Sequence, residues 1–362
     1  MIVPFLDLSR IHNQIQPELV NQINKIIDSN TYISGTNLSN FEESFAKYCN
    51  TKFCAGTSNG LDALTLLLKS HDIGPGDEVI VPAHTFIATW LSVSHTGALP
   101  VPVDVNSKNF NINIDNISNK INHKTKAIIA VHLYGQMSNI VEIKSIADKY
   151  NLFLFEDAAQ AHGASFNGHK PGSLTNGAAF SFYPTKNLGA MGDGGAVVTN
   201  SQEIDLKLRK FRNYGSVIKY KSDLLGHNAR LDEMQAAILN IKLSHLSTWN
   251  DDKNNTAKRY LTEIINSKIV LPYIEADAKH SWHLFVIKTE KRDYLQKYLS
   301  SNNISTIIHY PVPPHKQECY SHLSYSCNDT EKLCDQVLSI PLFPHMKSNE
   351  IDHVINTLNS FK

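Results

Sequence analysis

Short apolar runs alternate with helix-spaced apolar stripes along the first two-thirds of this chain. Ser58-Asn59 is placed to cap a helix whose apolar face is Leu61, Leu64, Leu67 and Leu68. Gly74-Pro75-Gly76-Asp77 breaks the chain, and Val79-Ile80-Val81 then reads as a buried strand. Residues 99–105 and 127–131 are further short apolar strands. Ile140, Ile143, Ile146, Ala147 and Tyr150 form a second helical stripe, followed by the strand 152–155, which ends at Glu156-Asp157. Residues 178–182 and 196–199 complete the set. Strands alternating with helices predict an α/β fold with a mostly parallel central sheet and helices on both faces. Such sheets bind ligands at the carboxyl ends of their strands. Asp157, Ser181 and the turn after Val81 all fall there.

A helix over about 232–245 closes this part, and the polar stretch 249–256 leads into a longer helix and a smaller C-terminal α/β domain. The expected division is a large domain over 1–248 and a small one over 249–362. Strand candidates in the small domain are 282–288 and 305–309, and Pro311-Val312-Pro313-Pro314 is stiff and extended. There is no internal repeat and no low-complexity tract.

Composition narrows the function classes. The chain has 34 basic and 34 acidic residues, so no net field recruits nucleic acid or an anionic membrane. No run approaches the roughly 18 apolar residues of a membrane span. The opening Met1 to Asp7 lacks the charged and apolar regions of a signal peptide, and the expectation is a cytoplasmic protein. The five cysteines are expected to be reduced thiols. His315, Cys319, Cys327 and Cys334 lack the tight paired spacing of a zinc site, so no metal is expected.

One lysine stands out by its setting. Lys186 lies in Ser181-Phe182-Tyr183-Pro184-Thr185-Lys186-Asn187-Leu188-Gly189, about thirty positions after Asp157 at its strand end. A lysine in a tight turn and an acid at a strand end are the two groups that pyridoxal phosphate chemistry needs. The lysine forms a Schiff base, and the acid holds the pyridinium nitrogen protonated so that the ring acts as an electron sink. Gly56-Thr57-Ser58-Asn59-Gly60-Leu61 opens a helix after an apolar segment, and its free amides suit a phosphate, although an ordinary capped helix has the same pattern. Ser181 could add a hydroxyl to that phosphate. Phe86 could stack on a pyridine ring or simply pack in the core, and Gln160 could reach a ring hydroxyl or water. Gly189, Gly192, Gly194 and Gly195 form a glycine-rich turn without the G-x-G-x-x-G dinucleotide fingerprint. That turn is expected to let backbones approach closely.

Taken in order, these blocks closely resemble the DegT-type sugar-nucleotide aminotransferases of the aspartate-aminotransferase fold type, over nearly the whole chain. The most specific are Glu156-Asp157-Ala158-Ala159-Gln160-Ala161-His162-Gly163 and 181–189. Val131-His132-Leu133-Tyr134-Gly135-Gln136, His227-Asn228-Ala229-Arg230-Leu231-Asp232 and Ile308-His309-Tyr310-Pro311 stand in family order.

The resemblance implies a pyridoxal-phosphate transferase of fold type I. Lys186 would be the Schiff-base lysine, Asp157 the pyridinium partner, Gln160 the ring-hydroxyl contact and Phe86 the stacking ring. Gly60, Leu61 and Ser181 would cradle the phosphate. Asn228 would reach the phosphate of the other subunit, which implies a homodimer with shared active sites. Tyr183, His309 and Tyr310 would meet the sugar nucleotide. Leu61 departs from the threonine of many relatives, which loses one hydroxyl contact. The implied reaction is ping-pong transfer of an amino group from L-glutamate to a keto sugar nucleotide. Gln160 resembles members acting on 3-keto sugars, since 4-keto members often carry histidine there. The implied acceptor is a dTDP-3-keto-6-deoxyhexose, giving a 3-amino sugar for surface polysaccharide such as O-antigen, with a 4-keto sugar nucleotide or a UDP-3-keto sugar as the alternative acceptor. A related pyridoxamine-dependent dehydratase would carry histidine at 186, and a cofactor-binding regulator would need an effector module for which the chain has no spare segment.

Overall fold

The computed structural model describes residues 1–362. Two helices, α1 (Ser9–Ser29) and α2 (Thr36–Tyr48), precede the first strand. The large sheet is then laid down as β1 (Phe53–Thr57), α3 (Gly60–Ser70), β2 (Glu78–Pro82), α4 (Ala88–Thr96), β3 (Leu99–Val103), β4 (Thr125–Val131), α5 (Ile140–Lys149) and β5 (Phe153–Asp157). A two-residue strand, β6 (Ser165–Phe166), is followed by β7 (Gly177–Ser181), β8 (Gly195–Thr199) and α6 (Gln202–Phe211). The seven strands order as β1-β8-β7-β5-β4-β2-β3. Every pairing is parallel except the two made by β8, so one reversed strand interrupts an otherwise parallel sheet.

The alternation of side chains along each strand feeds two separate cores. Ile80, Ile128, Leu154, Phe180 and Val198 face α2, α5 and the next long helix. Their neighbours Val79, Val81, Ile129, Phe155 and Val197 face α3, α4 and the side of α6. Strands buried on both faces explain the unbroken apolar runs in the sequence. The expected cap of α3 forms, with Asn59 Oδ1 accepting from the Asp62 amide at 2.8 Å.

A short hairpin, β9 (Ser216–Ile218) with β10 (Lys221–Ser222), precedes α7 (Glu233–Glu263). Here the structure corrects the sequence reading. The helix expected over 232–245 continues for 31 residues, through the polar stretch 249–256 and across the 248/249 division. Trp249, Asn250, Lys253 and Thr256 are all buried. Polar residues occupy the inward face because it meets polar partners, and this erases the apolar period that marks a helix. The far end of α7 contributes Ala257 and Tyr260 to a third core.

That core belongs to the small domain. It is built on β12 (Phe285–Lys288) and β13 (Val337–Ile340), which pair antiparallel, with α8 (Arg292–Ser301), α9 (Asn328–Gln336) and α10 (Ser348–Asn359). Another short strand, β11 (Ala278–Lys279), pairs with β6. The segment expected as a strand over 305–309 makes only a single bridge, Ile307 to Ser339, and the residue before it, Ile304, bridges to Val3. Val3 is thereby buried in the small domain's core, so the N-terminal segment spans both parts. No helix is long and apolar enough to cross a membrane.

Candidate active site

The strand ends converge on one cavity of about 540 Å³. β5 delivers Asp157, β7 delivers Ser181, and the turn after β2 delivers Thr85 and Phe86. Of the eleven residues singled out from the sequence, ten line this cavity: Gly60, Leu61, Phe86, Asp157, Gln160, Ser181, Tyr183, Lys186, His309 and Tyr310. Asn228 does not. It is exposed and bridges to Asn213 beyond the hairpin.

Asp157 is 6% exposed, and its position is fixed from two sides. Thr89, in the first turn of α4, donates its hydroxyl to Oδ2 at 2.7 Å. The Thr89 hydroxyl in turn meets the Thr85 hydroxyl at 2.8 Å. The Ala159 amide donates to Oδ1 at 3.2 Å. The adjacent carboxylate, Glu156, points to the opposite face of the strand. It meets His132 Nε2 at 2.6 Å and accepts from the Gly172 amide at 2.7 Å and the Thr175 hydroxyl at 2.5 Å. Because His132 Nδ1 accepts the Ser138 amide at 3.2 Å, the ring proton sits on Nε2 and is donated to Glu156. Glu156 is therefore a structural tie, and Asp157 is the carboxylate left facing the cavity.

Lys186 sits in the turn after β7, where its amide donates to the Tyr183 carbonyl at 2.8 Å. Burial lowers its amine to about 8, against the opposing pull of Asp157. An amine so tuned loses and regains a proton near neutral pH, as a general base and acid must. His309 also lines the cavity, and burial followed by the Lys186 charge pushes it down to about 4.

The start of α3 forms a cradle. The amides of Gly60 and Leu61 donate to no protein acceptor, because the Asn59 side chain satisfies Asp62 and the Asn59 carbonyl takes Ala63. Gly60 is required there, since a Cβ would lie 2.7 Å from Ser181 Cβ. The glycine-rich turn serves the same closeness, for a Cβ on Gly195 would lie 2.3 Å from the Asn59 carbonyl oxygen. Free amides at a helix N-terminus beside a serine hydroxyl suit a phosphate.

Cradle and Asp157 line one cavity, whose volume of about 540 Å³ can take a flat ring. Phe86 lies over this space with its ring 5.5 Å from that of Tyr310. Gln160 is held from two sides. Its Oε1 accepts the Tyr134 amide at 2.6 Å, which leaves Nε2 to donate to the Tyr310 hydroxyl at 3.0 Å. The second Nε2 proton is free for a ligand oxygen.

Several residues at the site had no signal in the sequence. Thr89 reads as one more polar position on a helix. Tyr134 belongs to a family block but takes a left-handed conformation (φ 59°), from which it offers its amide to Gln160 and its hydroxyl to the His309 carbonyl. His84 meets the same hydroxyl at 2.8 Å. Asn187, His283 and Lys253 form a polar cluster behind Lys186. The residues weighed for zinc do not gather: His315 pairs with Glu331 at 3.0 Å, and no group of three or more His, Cys, Asp or Glu side chains is arranged to hold a metal.

An acid at a strand end, a depressed lysine amine, an open amide cradle and a flat slot between them fit pyridoxal phosphate residue by residue. The residues 13–359 match the DegT/DnrJ/EryC1/StrS aminotransferase family. The chain is 48% identical over 361 residues to dTDP-3-amino-3,6-dideoxy-alpha-D-galactopyranose transaminase of Aneurinibacillus thermoaerophilus, with 99% of each chain covered. Among solved structures, S. venezuelae DesV in complex with a ketimine intermediate superposes with a TM-score of 0.97 at 43% identity, covering 99% of this chain and 98% of DesV. NtdA of Bacillus subtilis, with bound cofactor PMP, gives a TM-score of 0.93 at 33% identity, covering 99% of this chain and 84% of NtdA. The fold and the site thus define an aminotransferase dependent on pyridoxal phosphate. The chain belongs to the DegT/DnrJ/EryC1/StrS aminotransferase family, and its fold is the type I fold of such enzymes.

Proposed function

We propose that this enzyme moves an amino group from L-glutamate to a dTDP-3-keto-6-deoxyhexose, giving a dTDP-3-amino-3,6-dideoxyhexose for O-antigen or another surface polysaccharide. The observation that carries the reading is the full-length similarity to a transaminase named for a 3-amino-3,6-dideoxy sugar. Gln160, at a position where members acting on 4-keto sugars often carry histidine, supports the same choice of carbon.

The bound cofactor supplies an electron sink for a carbon that loses its proton. The protein's residues supply the rest. Asp157, aimed by Thr89, would partner the ring nitrogen; the Gly60 and Leu61 amides with Ser181 would hold the phosphate; Phe86 would cover the ring; Gln160 would donate to its hydroxyl. Lys186 would hold the cofactor at rest, and its freed amine would be the group that takes and returns the proton at the donor's alpha carbon, with the order reversed in the second half-reaction. Tyr183, His309 and Tyr310 at the cavity's open side contact the sugar nucleotide. We assign Asn228 to the phosphate of a second subunit. That assignment is supported by its exposure beside a hairpin whose Val217, Ile218 and Tyr220 are also exposed. The assembly is then a cytoplasmic homodimer with shared sites.

Regiochemistry tests the substrate. Incubation with L-glutamate and a dTDP-3-keto-6-deoxyhexose should give a product whose NMR spectrum places nitrogen at C3. Amination only of a 4-keto sugar nucleotide, at C4, overturns the substrate assignment.

A further inference from the structure

A second cavity, of about 700 Å³, adjoins the first, and Thr185, Lys186, His283 and His309 line both. Its other walls are the N-terminal segment around Phe5, the middle of α7, and Leu342 and Phe343 of the small domain. These walls are largely apolar, and their charged groups beside Lys186 are Asp7 and Lys253. Lys253 on α7 is 5% exposed. Its ammonium donates to Asn187 Oδ1 at 3.0 Å and to the His283 carbonyl at 3.5 Å, both neutral groups. An ammonium has three protons to donate. Enclosing one without a counter-charge costs several kcal/mol.

The remaining groups around it supply no anion. His162, His280 and His283 are all pushed well below the ordinary histidine range by burial, and Lys186 and Lys253 add to the shift in His283. Asp7 lines the cavity, but its carboxylate is engaged by Arg10 Nε at 3.0 Å and the Ser9 amide at 3.1 Å. Asn187, next to Lys186 in sequence, is pinned by donating to Asn250 Oδ1 at 2.9 Å and the Ser281 carbonyl at 2.7 Å. Lys253 is thus held against a rigid post at the back of the reactive lysine, with nothing on the protein to neutralise it.

We propose that this second cavity is the subsite for a carboxylate of the amino-acid donor, with Lys253 as its counter-ion. The inference rests on the transaminase reading above. A donor amine must come to the position that Lys186 occupies, and Lys186 stands in the wall between the two cavities. The apolar walls suit the methylene chain of a dicarboxylic amino acid. With Lys186 committed to the reaction, Lys253 is the one lysine of this cavity left to match a carboxylate, whereas a nucleotide diphosphate brings at least two charges and calls for more than one cation.

The test uses the cofactor-loaded enzyme and glutarate, a dicarboxylate that cannot react. Burial lowers Lys253 to about 7, so at pH 8 the empty subsite holds mostly neutral amine. Binding of the anion should then draw a proton from solution, seen in calorimetry as a heat that changes with the buffer. Lys253→Met should weaken glutarate at least tenfold, the scale of a lost charge-assisted hydrogen bond. It should also collapse the preference for glutamate over glutamine in the donor half-reaction, and Lys253→Arg should restore part of that preference. Unchanged glutarate affinity in a folded Lys253→Met, or proton uptake on binding that is the same with and without Lys253, overturns the subsite. Should Lys253→Met fail to fold, Lys253→Gln supplies the same comparison of affinity and proton uptake. Failure of every amino acid to convert the cofactor overturns the transaminase reading itself and the subsite with it.

Discussion

The two cavities that meet at Lys186 are built in opposite ways. The cofactor cavity is assembled from the ends of neighbouring strands and the helix that follows one of them, so sheet register sets the spacing of its polar groups. The second cavity is assembled from a loop near the N-terminus, the middle of a 31-residue helix and turns of the small domain, and no single element orders it. Their lysines differ accordingly. Lys186 has Asp157 to oppose the effect of burial and settles near 8, whereas Lys253 has no such partner and falls to about 7. A charge that is balanced within the protein has its role written into the fold. A charge left unbalanced points to something that arrives.

The largest expected effect is on the balanced side. Lys186→Ala should reduce turnover by at least about 10³-fold while still allowing some cofactor to bind, since the lost group is the proposed general base and acid. Cofactor absorbance and single-turnover rates measure the two separately. Asp157→Asn keeps the shape and removes the charge, and should lower turnover by about 10²-fold. A double variant that loses far less than the product of the two single losses, with the fold intact, would show that the two residues act on one group.

The next test separates Asp157 from its neighbour. Glu156→Ala removes a carboxylate that is 1% exposed and strands His132, the Gly172 amide and the Thr175 hydroxyl. Leaving those buried partners unpaired should lower unfolding stability by about 3 kcal/mol in denaturant titrations. Asp157→Asn should change stability far less. Two adjacent carboxylates would then divide cleanly into one that holds the fold and one that serves the reaction.

The difference was only half legible in the sequence. Asp157 and Lys186 could be picked out because a carboxylate ending an apolar run and a lysine in a glycine-bounded turn are local patterns. Gly60 and Ser181 could be picked out for the same reason, though not their mutual contact. Nothing local marks Thr89, whose meaning comes from a partner 68 residues away. Lys253 and Asn250 were hidden for a stronger reason. Their burial makes the inward face of α7 polar, so the stretch 249–256 read as a polar segment leading into a further helix, although it is the middle of one continuous helix. Functional polar residues on a buried face remove the periodic signal by which helices are found.

pH sharpens the contrast between the lysines in the cofactor-free protein. Lys253 binds its proton less tightly when folded (about 7) than the ordinary lysine value of 10.5 expected on unfolding. Between those values the unfolded chain takes up the proton, so stability rises with pH across that window and levels off above it. Lys242, lowered by burial to about 8, adds a similar but smaller contribution. Lys253→Met should therefore show a shallower rise in melting temperature between pH 7 and pH 10 than the unaltered chain. Equal slopes would place the lysine's charge in contact with solvent.

The smallest effect concerns the phosphate cradle. Leu61→Thr would add a hydroxyl beside amides that already have no protein acceptor. One added hydrogen bond to a charged group should tighten cofactor binding by roughly fivefold. Fluorescence titration of the cofactor-free protein measures this directly.

The central claim is that Lys186 and Asp157 run a transamination between an amino acid and a 3-keto sugar nucleotide. Its most direct test is a split reaction. The cofactor-loaded enzyme is converted with L-glutamate, freed of donor, and given 3-keto and 4-keto sugar nucleotides in separate portions, while cofactor absorbance is followed. Conversion by glutamate and recovery of the original spectrum with the 3-keto sugar alone is the predicted result. Recovery with the 4-keto sugar alone would contradict the assigned carbon, and no conversion by glutamate or any other amino acid would contradict the transamination itself.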